Sequence, residues 1–192
     1  MKFAPLIALM VMAASPVAAQ DATVVDLDGG LSIELPDGWS ERHFANPMMK
    51  QKGMKDILRG ASESRLQKGG TTTLVSYMEF KVDKPMTPIN PEILEKQKDV
   101  TIKAASQYLP LAQEEEVAPR AEIVGNLGIS LATLNAREGS RFNVAAGAPG
   151  NCVTSGSIGR GAAVWVISVA SESCELASHK EMVDALFSAR SE

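Results

Sequence analysis

The chain has 192 residues, of which 45% are hydrophobic and 22% charged, and its formal net charge at pH 7 is −4. This length and composition are typical of a single globular domain with its own hydrophobic core. The mild acidity argues against a general nucleic-acid-binding protein, because such proteins present a basic surface to the phosphate backbone. We therefore expect no nucleic-acid partner.

The N-terminus has the pattern of an export signal. Lys2 precedes an uncharged, mostly apolar run, and small residues at positions 17–19 suit cleavage before Gln20. The run spans about a dozen residues, which is too short to cross the roughly 30 Å hydrocarbon core of a bilayer as a helix. We predict a signal peptide over residues 1–19 and a single domain over residues 20–192. The mature chain is then periplasmic or secreted, without a transmembrane segment.

The predicted domain begins with a β-hairpin. Residues 23–27 are rich in β-branched side chains, and Asp28-Gly29-Gly30 supplies the positive backbone angles of a tight turn. Residues 31–35 then alternate apolar and polar side chains, which is the pattern of a strand with one buried face.

Residues 40–70 show no clear period. We expect a short helix near Pro47, whose three methionines (48, 49 and 54) are typical core-filling residues or, alternatively, soft ligands for Cu(I). The same stretch is locally basic in an acidic protein. Its candidate partner-binding patch would contact an acidic protein partner or an anionic envelope surface, unless it is only a solvated helix face. The residues of this basic patch are Lys50, Lys52, Lys55 and Arg59.

A strand and a helix are predicted in the middle of the chain. Residues 71–82 read as a long strand that contains three threonines and the aromatic residues Tyr77 and Phe80. Asn90 is a good N-cap and Pro91 a good first helical residue, so a helix is expected from there to about Leu109. Its apolar stripe is predicted at three- and four-residue steps: Ile93, Gln97, Val100, Ala104 and Tyr108.

The C-terminal third is predicted to contain several strands and one helix. Strands are expected over residues 121–127, 129–136 and 153–158. Another, over residues 162–170, has an apolar centre on both of its faces, which is typical of a central strand covered by helices on each side. The last helix is expected to begin at Ser178, with Glu181 completing a capping box.

This element order favours an α+β fold. We predict a mainly antiparallel sheet of about six strands flanked by helices, an α/β/α sandwich. The strand over residues 31–35 with the following Pro36-Asp37-Gly38-Trp39, the helix from Pro91 and the terminal strand and helix resemble the PsbP-like superfamily, whose relatives include DcrB-like bacterial envelope proteins. This resemblance implies a six- or seven-stranded antiparallel sheet. It implies no enzymatic activity, since these relatives mostly act as binding or assembly factors.

Cys152 and Cys174 are the only cysteines. In an exported protein an isolated pair is most simply a structural disulfide, and a closed loop of about twenty residues contributes about 3 kcal/mol in the chain-entropy model. The pair lacks C-x-x-C spacing and has no histidine beside it in the sequence, so neither a redox pair nor a soft-metal site is expected.

No catalytic, metal or cofactor site is predicted. The two histidines, His43 and His179, are far apart in the chain, and His179 is expected at the exposed start of the last helix. The chain has no G-x-S-x-G motif. The glycine-rich run over residues 156–161 leads into an apolar strand, so a hairpin turn is expected there instead of a phosphate cradle.

These observations predict an exported, non-enzymatic envelope protein of the binding or assembly-factor type, with an unknown partner and no cofactor. The alternative is a small secreted hydrolase with an undetected nucleophile or acid pair. Carboxylates such as Asp37, Glu41 and Asp56 are candidates for that pair if the fold brings them together.

Overall fold

A computed structural model describes residues 22–83, 86–144 and 149–191 of the protein. The predicted signal peptide lies outside these ranges. The first half of the chain contains β1 (Ala22–Asp26), β2 (Leu31–Pro36), β3 (Ser40–Ala45), a 3₁₀ helix (Pro47–Lys50), α1 (Met54–Ile57), β4 (Leu58–Lys68), β5 (Thr71–Phe80), α2 (Pro91–Ala105) and a second 3₁₀ helix (Ser106–Leu111). The second half contains β6 (Arg120–Val124), β7 (Leu127–Asn135), β8 (Phe142–Asn143), β9 (Pro149–Gly150), β10 (Cys152–Arg160), β11 (Ala163–Ser171), α3 (Ala177–Phe187) and β12 (Arg190–Ser191).

A seven-stranded antiparallel sheet organises the fold, in the order β3-β4-β5-β11-β10-β7-β6. The predicted α+β class is therefore confirmed, with seven strands in this sheet where about six were expected. β11 lies in the middle of the order, as its apolar centre predicted. Helices pack on both faces of the sheet, since Met182 of α3 shares a core cluster with Trp165 of β11, while Ala105 of α2 shares another with Ala170, which points to the other side of β11.

The N-terminal hairpin covers one face of this sheet together with α3. β1 and β2 pair across the predicted turn, where Asp28 has a φ of 62° and Gly29 a φ of 64°. β12 adds a third strand to β2. The buried residues Leu31, Ile33 and Leu35 share a core with Trp165 of β11. The Trp165 Nε1–H donates to the Asp28 carbonyl oxygen at 3.0 Å, which ties the hairpin turn to the centre of the sheet.

Part of the opposite face is covered by α2, which contacts β6, β7 and β10. Asn90 caps this helix as predicted, because its Oδ1 accepts a hydrogen bond from the Ile93 N–H at 3.0 Å. The Gln97 side-chain amide donates to the Gly128 carbonyl oxygen at 2.9 Å and to the Ser157 carbonyl oxygen at 2.8 Å. These bonds hold α2 over β7 and β10, where it closes a second core cluster with Phe142 and Leu134.

The prediction for residues 40–70 is wrong in part. The expected helix is reduced to one 3₁₀ turn and the four residues of α1, and the stretch contains two strands, β3 and the eleven-residue β4. β3 is exposed along its whole length at the edge of the sheet. An edge strand without a buried face needs no alternation of apolar and polar residues, so its periodic signal is absent.

Two local predictions near helix and strand ends are also wrong. The N-cap of α3 is Leu176, and no side chain caps it. Ser178 instead lies within 2.7 Å of the Thr71 hydroxyl, and Glu181 pairs with Lys68 at 2.8 Å. Tertiary contacts of α3 with the β4–β5 turn therefore replace the local capping box.

The turn between β6 and β7 is also misplaced in the prediction. The expected strands over residues 121–127 and 129–136 put the break at Gly128, whereas the turn is at Gly125, which has a φ of 61°.

None of the helices in the described ranges is long and apolar enough to cross a membrane.

Candidate functional site

An open groove runs along α2 where the helix stops covering the large sheet. Its floor is formed by β10 and β11, and its wall by α2 and the 3₁₀ turn that follows. The volume of the groove is about 390 Å³. The residues that define its surface are Val100, Ala104 and Tyr108 on the wall and Ser157, Val164 and Val166 on the floor.

The groove exposes two valines that the sequence predicted as core. Val100 belongs to the predicted apolar stripe of α2, yet it is 63% exposed. Val166 lies in the apolar centre of β11, yet it is 43% exposed. The buried line of α2 contains Thr101 and Ala105 instead. Both predictions therefore fail at the same place, because the chain carries more apolar surface here than its own elements cover.

The uncovered surface continues from the groove across the rest of the sheet. The register places Met78 and Phe80 of β5 on the same face as Val164 and Ser168 of β11, whereas Leu74, on that face too, is buried in the second core cluster. Phe80 is exposed, and so is Phe44 on the edge strand β3. The strands from β11 to β3 span about 15 Å at the usual strand spacing, which is wide enough for one helix of about 10–12 Å diameter. We call this surface, together with the groove, the open face.

Two arginines lie at the far edge of the open face. Arg42 of β3 is directly opposite Arg65 of β4, which is an unfavourable cross-strand pair of like charges. Arg65 also stacks over the Phe44 ring, with 5.7 Å between the guanidinium carbon and the ring centroid, and its Nε is buried without a hydrogen-bond partner. Within the described ranges no carboxylate, that of the neighbouring Glu63 included, lies at ion-pair distance from either guanidinium. This edge is therefore positively charged.

The predicted basic patch lies outside the open face, with its three lysines in the segment between β3 and β4 and Arg59 at the start of β4. Lys50, Lys52 and Lys55 are exposed, and no carboxylate of the described residues lies within ion-pair distance of them. Arg59 differs, because its guanidinium pairs with the Glu79 carboxylate at 2.7 Å. The structure thus leaves three of the four cations unpaired. Binding of an anionic surface by this patch stays a prediction.

The fold also places a histidine beside a serine, which bears on the hydrolase alternative. The His43 Nδ1 lies 3.0 Å from the Ser64 Oγ, and the His43 Nε2 lies 3.0 Å from a Glu41 carboxylate oxygen. Burial raises the pKa of Glu41, and the neighbouring charges that act on it are His43, Asp26 and Asp28. Ser64, however, is only 1% exposed. A nucleophile in that position cannot reach a substrate carbonyl, so the arrangement is better explained as a hydrogen-bonded link between β3 and β4.

The second histidine contradicts the sequence-based expectation. Cys152 and Cys174 form the predicted disulfide, with their Cα atoms 5.2 Å apart. His179 was expected to be exposed and remote from it. The imidazole is instead 2% exposed, and its Nε2 lies 3.4 Å from the Cys152 Sγ. Burial lowers the pKa of His179 to about 4, so the ring is neutral at pH 7.

The contact joins residues that are 27 positions apart in the chain, so the spacing of Cys152 and His179 does not predict it. The pairing of β10 with β11 and the packing of α3 bring them together. The nearer signal was Cys174, which shortly precedes His179 in the sequence.

A comparison of the sequence with protein-family models finds no match. Comparisons with curated proteins and with solved structures find no match either. These results leave the resemblance to the PsbP-like superfamily as an expectation.

Proposed function

We propose that the protein is an exported, non-enzymatic binding protein of the envelope, and that the open face beside α2 is its binding surface. The periplasmic or secreted location rests on the predicted signal peptide and is compatible with the disulfide. The observation that carries the proposal is the joint exposure of Val100 and Val166, two residues patterned as core in a groove of about 390 Å³. Contiguous exposed apolar surface with a polar rim is typical of an interaction site.

The dimensions and charge of the open face support one kind of occupant, an amphipathic helix of a partner protein. A single helix fits between α2 and the sheet edge, and an apolar stripe on it would cover Val166, Met78 and Phe80. Arg42 and Arg65 would then face the helix edge that lies over β3 and β4. Acidic residues on that edge would relieve the repulsion between the two guanidinium groups.

Designed peptides test this assignment. Two helical peptides carry the same leucine stripe, one with glutamates and the other with lysines along its edges. We expect the acidic peptide to bind more tightly and to shift the amide NMR signals of Val100, Val166 and Ser168. Replacing both Arg42 and Arg65 by glutamine is expected to remove the preference for the acidic peptide, because the preference comes from these two charges.

A matched pair of aspartate substitutions locates the site. Val166→Asp places a charge on the groove floor and is expected to weaken binding at least tenfold. Val24→Asp is the control, since Val24 is also an exposed valine, at 64%, but lies on β1 outside the open face. Equal binding by the Val166→Asp variant and the unmodified protein would contradict the proposal. So would peptide-induced shifts confined to other surfaces.

A further inference from the structure

The disulfide lies in a buried cluster with a third potential metal ligand. The sulfurs of Cys152 and Cys174 and an imidazole nitrogen of His179 all lie within 4.8 Å of one another. Cys152 belongs to β10 and His179 to the first turn of α3, and both are buried. Cys174 lies in the short connection between β11 and α3 and is partly exposed. The rigid elements therefore position two of the groups, and the connection positions the third.

The hydrogen bonds around His179 fix which ring nitrogen carries the proton. The Ser171 hydroxyl donates to the Ser173 carbonyl oxygen at 2.9 Å, so this hydroxyl has no second hydrogen to give. It must accept from the His179 Nδ1–H, which lies 2.8 Å away. In the neutral ring the Nε2 then holds the lone pair. The Thr154 hydroxyl, 2.9 Å from that Nε2, is its donor.

The unprotonated Nε2 of His179, which accepts from Thr154, thus also lies next to a sulfur atom. A disulfide sulfur has no hydrogen to donate, so the 3.4 Å contact between Nε2 and the Cys152 Sγ is not a hydrogen bond while the bridge is intact. A metal-binding histidine usually donates from one ring nitrogen to a nearby acceptor, which orients the ring so that the other nitrogen can bind the ion. Here the Ser171 hydroxyl is that acceptor.

We propose that reduction of the Cys152–Cys174 bridge converts this cluster into a binding site for a thiophilic divalent cation of the Zn²⁺ type. A dithiol reductant supplies two electrons and two protons, becomes a disulfide itself and leaves two thiols in the protein. The cation binds both sulfurs as thiolates and releases the two protons to solvent. The His179 Nε2 is the third ligand. Water occupies the fourth, open position.

The geometry needs only a small rearrangement. Metal–sulfur distances of about 2.3 Å in a tetrahedral site place the two sulfurs about 3.8 Å apart. Cys174 can supply this movement because its connection lies at the surface, whereas Cys152 stays within the ladder between β7 and β11.

Cobalt(II) is the spectroscopic probe of this site. The protein is reduced with dithiothreitol, separated from it without oxygen and titrated with Co²⁺. We expect one equivalent to produce thiolate-to-cobalt charge-transfer absorption and the intense visible bands of a four-coordinate ion, and Zn²⁺ to abolish both. The oxidised protein is expected to show neither. Absence of these bands in the reduced protein would overturn the proposal.

Two histidine variants test whether His179 binds the ion or only lies near it. His179→Gln is expected to weaken Co²⁺ binding at least tenfold and to shift the visible bands, whereas His43→Gln, which alters the histidine on β3, should leave both unchanged. If the reduced His179→Gln protein unfolds, its Co²⁺ affinity in the unfolded state is compared with that of the folded, reduced unmodified protein. Equal Co²⁺ affinity of the folded unmodified protein and the unfolded variant would contradict the site, because unstructured cysteines would then suffice.

Discussion

Replacing His179 by glutamine should change how the stability of the oxidised, metal-free protein depends on pH. Burial lowers the pKa of His179 to about 4 in the folded state, against 6.5 for an unperturbed histidine. As the pH falls, the unfolded chain therefore binds the proton first. The stability that comes from the neutral ring is complete above about pH 6.5 and is lost as the pH falls to about 4.

The magnitude follows from the size of the shift. One pKa unit corresponds to about 1.4 kcal/mol, so the unmodified protein should lose about 2 kcal/mol of unfolding free energy by pH 5 and about 3 kcal/mol near pH 4 through this group alone. The side chain is almost fully buried, so solvent screening reduces this value little. Glutamine carries no titratable proton, and the His179→Gln variant should lack this component at every pH.

Urea unfolding at a series of pH values between 8 and 4 measures the effect. The informative quantity is the difference between the unmodified protein and the variant, since the carboxylates titrate alike in both. His43→Gln is the control, because it alters the half-exposed histidine on β3 and should keep the component that comes from His179. A constant difference between unmodified and His179→Gln protein across this range would refute the reasoning.

Three further predictions concern stability and the basic patch. Replacing Cys152 and Cys174 together by alanine should lower the unfolding free energy by about 3 kcal/mol, because the lost bridge closes a 22-residue separation. Urea unfolding of the variant and of the oxidised protein measures this difference, and equal urea midpoints for the two would contradict it. Gly156→Ala should reduce the melting temperature, since the new Cβ would lie 2.9 Å from the Leu131 Cα within the sheet. The control is Gly53→Ala, whose new Cβ meets no atom within 4 Å. It bears only the backbone strain of a φ of 85°. Replacing Lys50, Lys52 and Lys55 by glutamine should reduce the fraction of protein that sediments with phosphatidylglycerol vesicles at low salt. The same change at three lysines of α2 should not: Lys96, Lys98 and Lys103. Equal loss of vesicle binding in both triple variants would contradict a localised patch.

The sequence predicts those parts of the fold in which local pattern and burial agree. The hairpin over β1 and β2 has both turn glycines and strict alternation, and it is confirmed. The cap at Asn90 and the central position of β11 are also confirmed. The edge strand β3 was not predicted, because its residues are all exposed and show no alternation of apolar and polar side chains.

The candidate sites depend on contacts between distant parts of the chain, which single-residue patterns do not encode. His179 was assigned to an exposed helix start because Ser178 and Glu181 fit a capping box. The hydroxyls of Thr71, Thr154 and Ser171 instead bind the first turn of α3 from three strands and bury it. Long-range hydrogen bonds therefore override a local cap worth about 1 kcal/mol.

The open face is a different case, because its residues were recognised and only their environment was predicted wrongly. Val100 and Val166 have the pattern of core residues, and periodicity reports that a side chain prefers burial without showing what buries it. In the structure both side chains remain exposed, Val100 on α2 itself and Val166 on the sheet beside it. The proposed partner helix would supply the missing cover.

Site-specific photocrosslinking in living cells tests this account most directly. A photoreactive phenylalanine analogue replaces Val166 on the groove floor in one strain and Val24 on β1 in another. We predict a crosslink from position 166 to one partner, at a peptide with a leucine stripe and an acidic edge, and no crosslink to that partner from position 24. Equal crosslinking from both positions, or none from position 166, would contradict a binding surface beside α2.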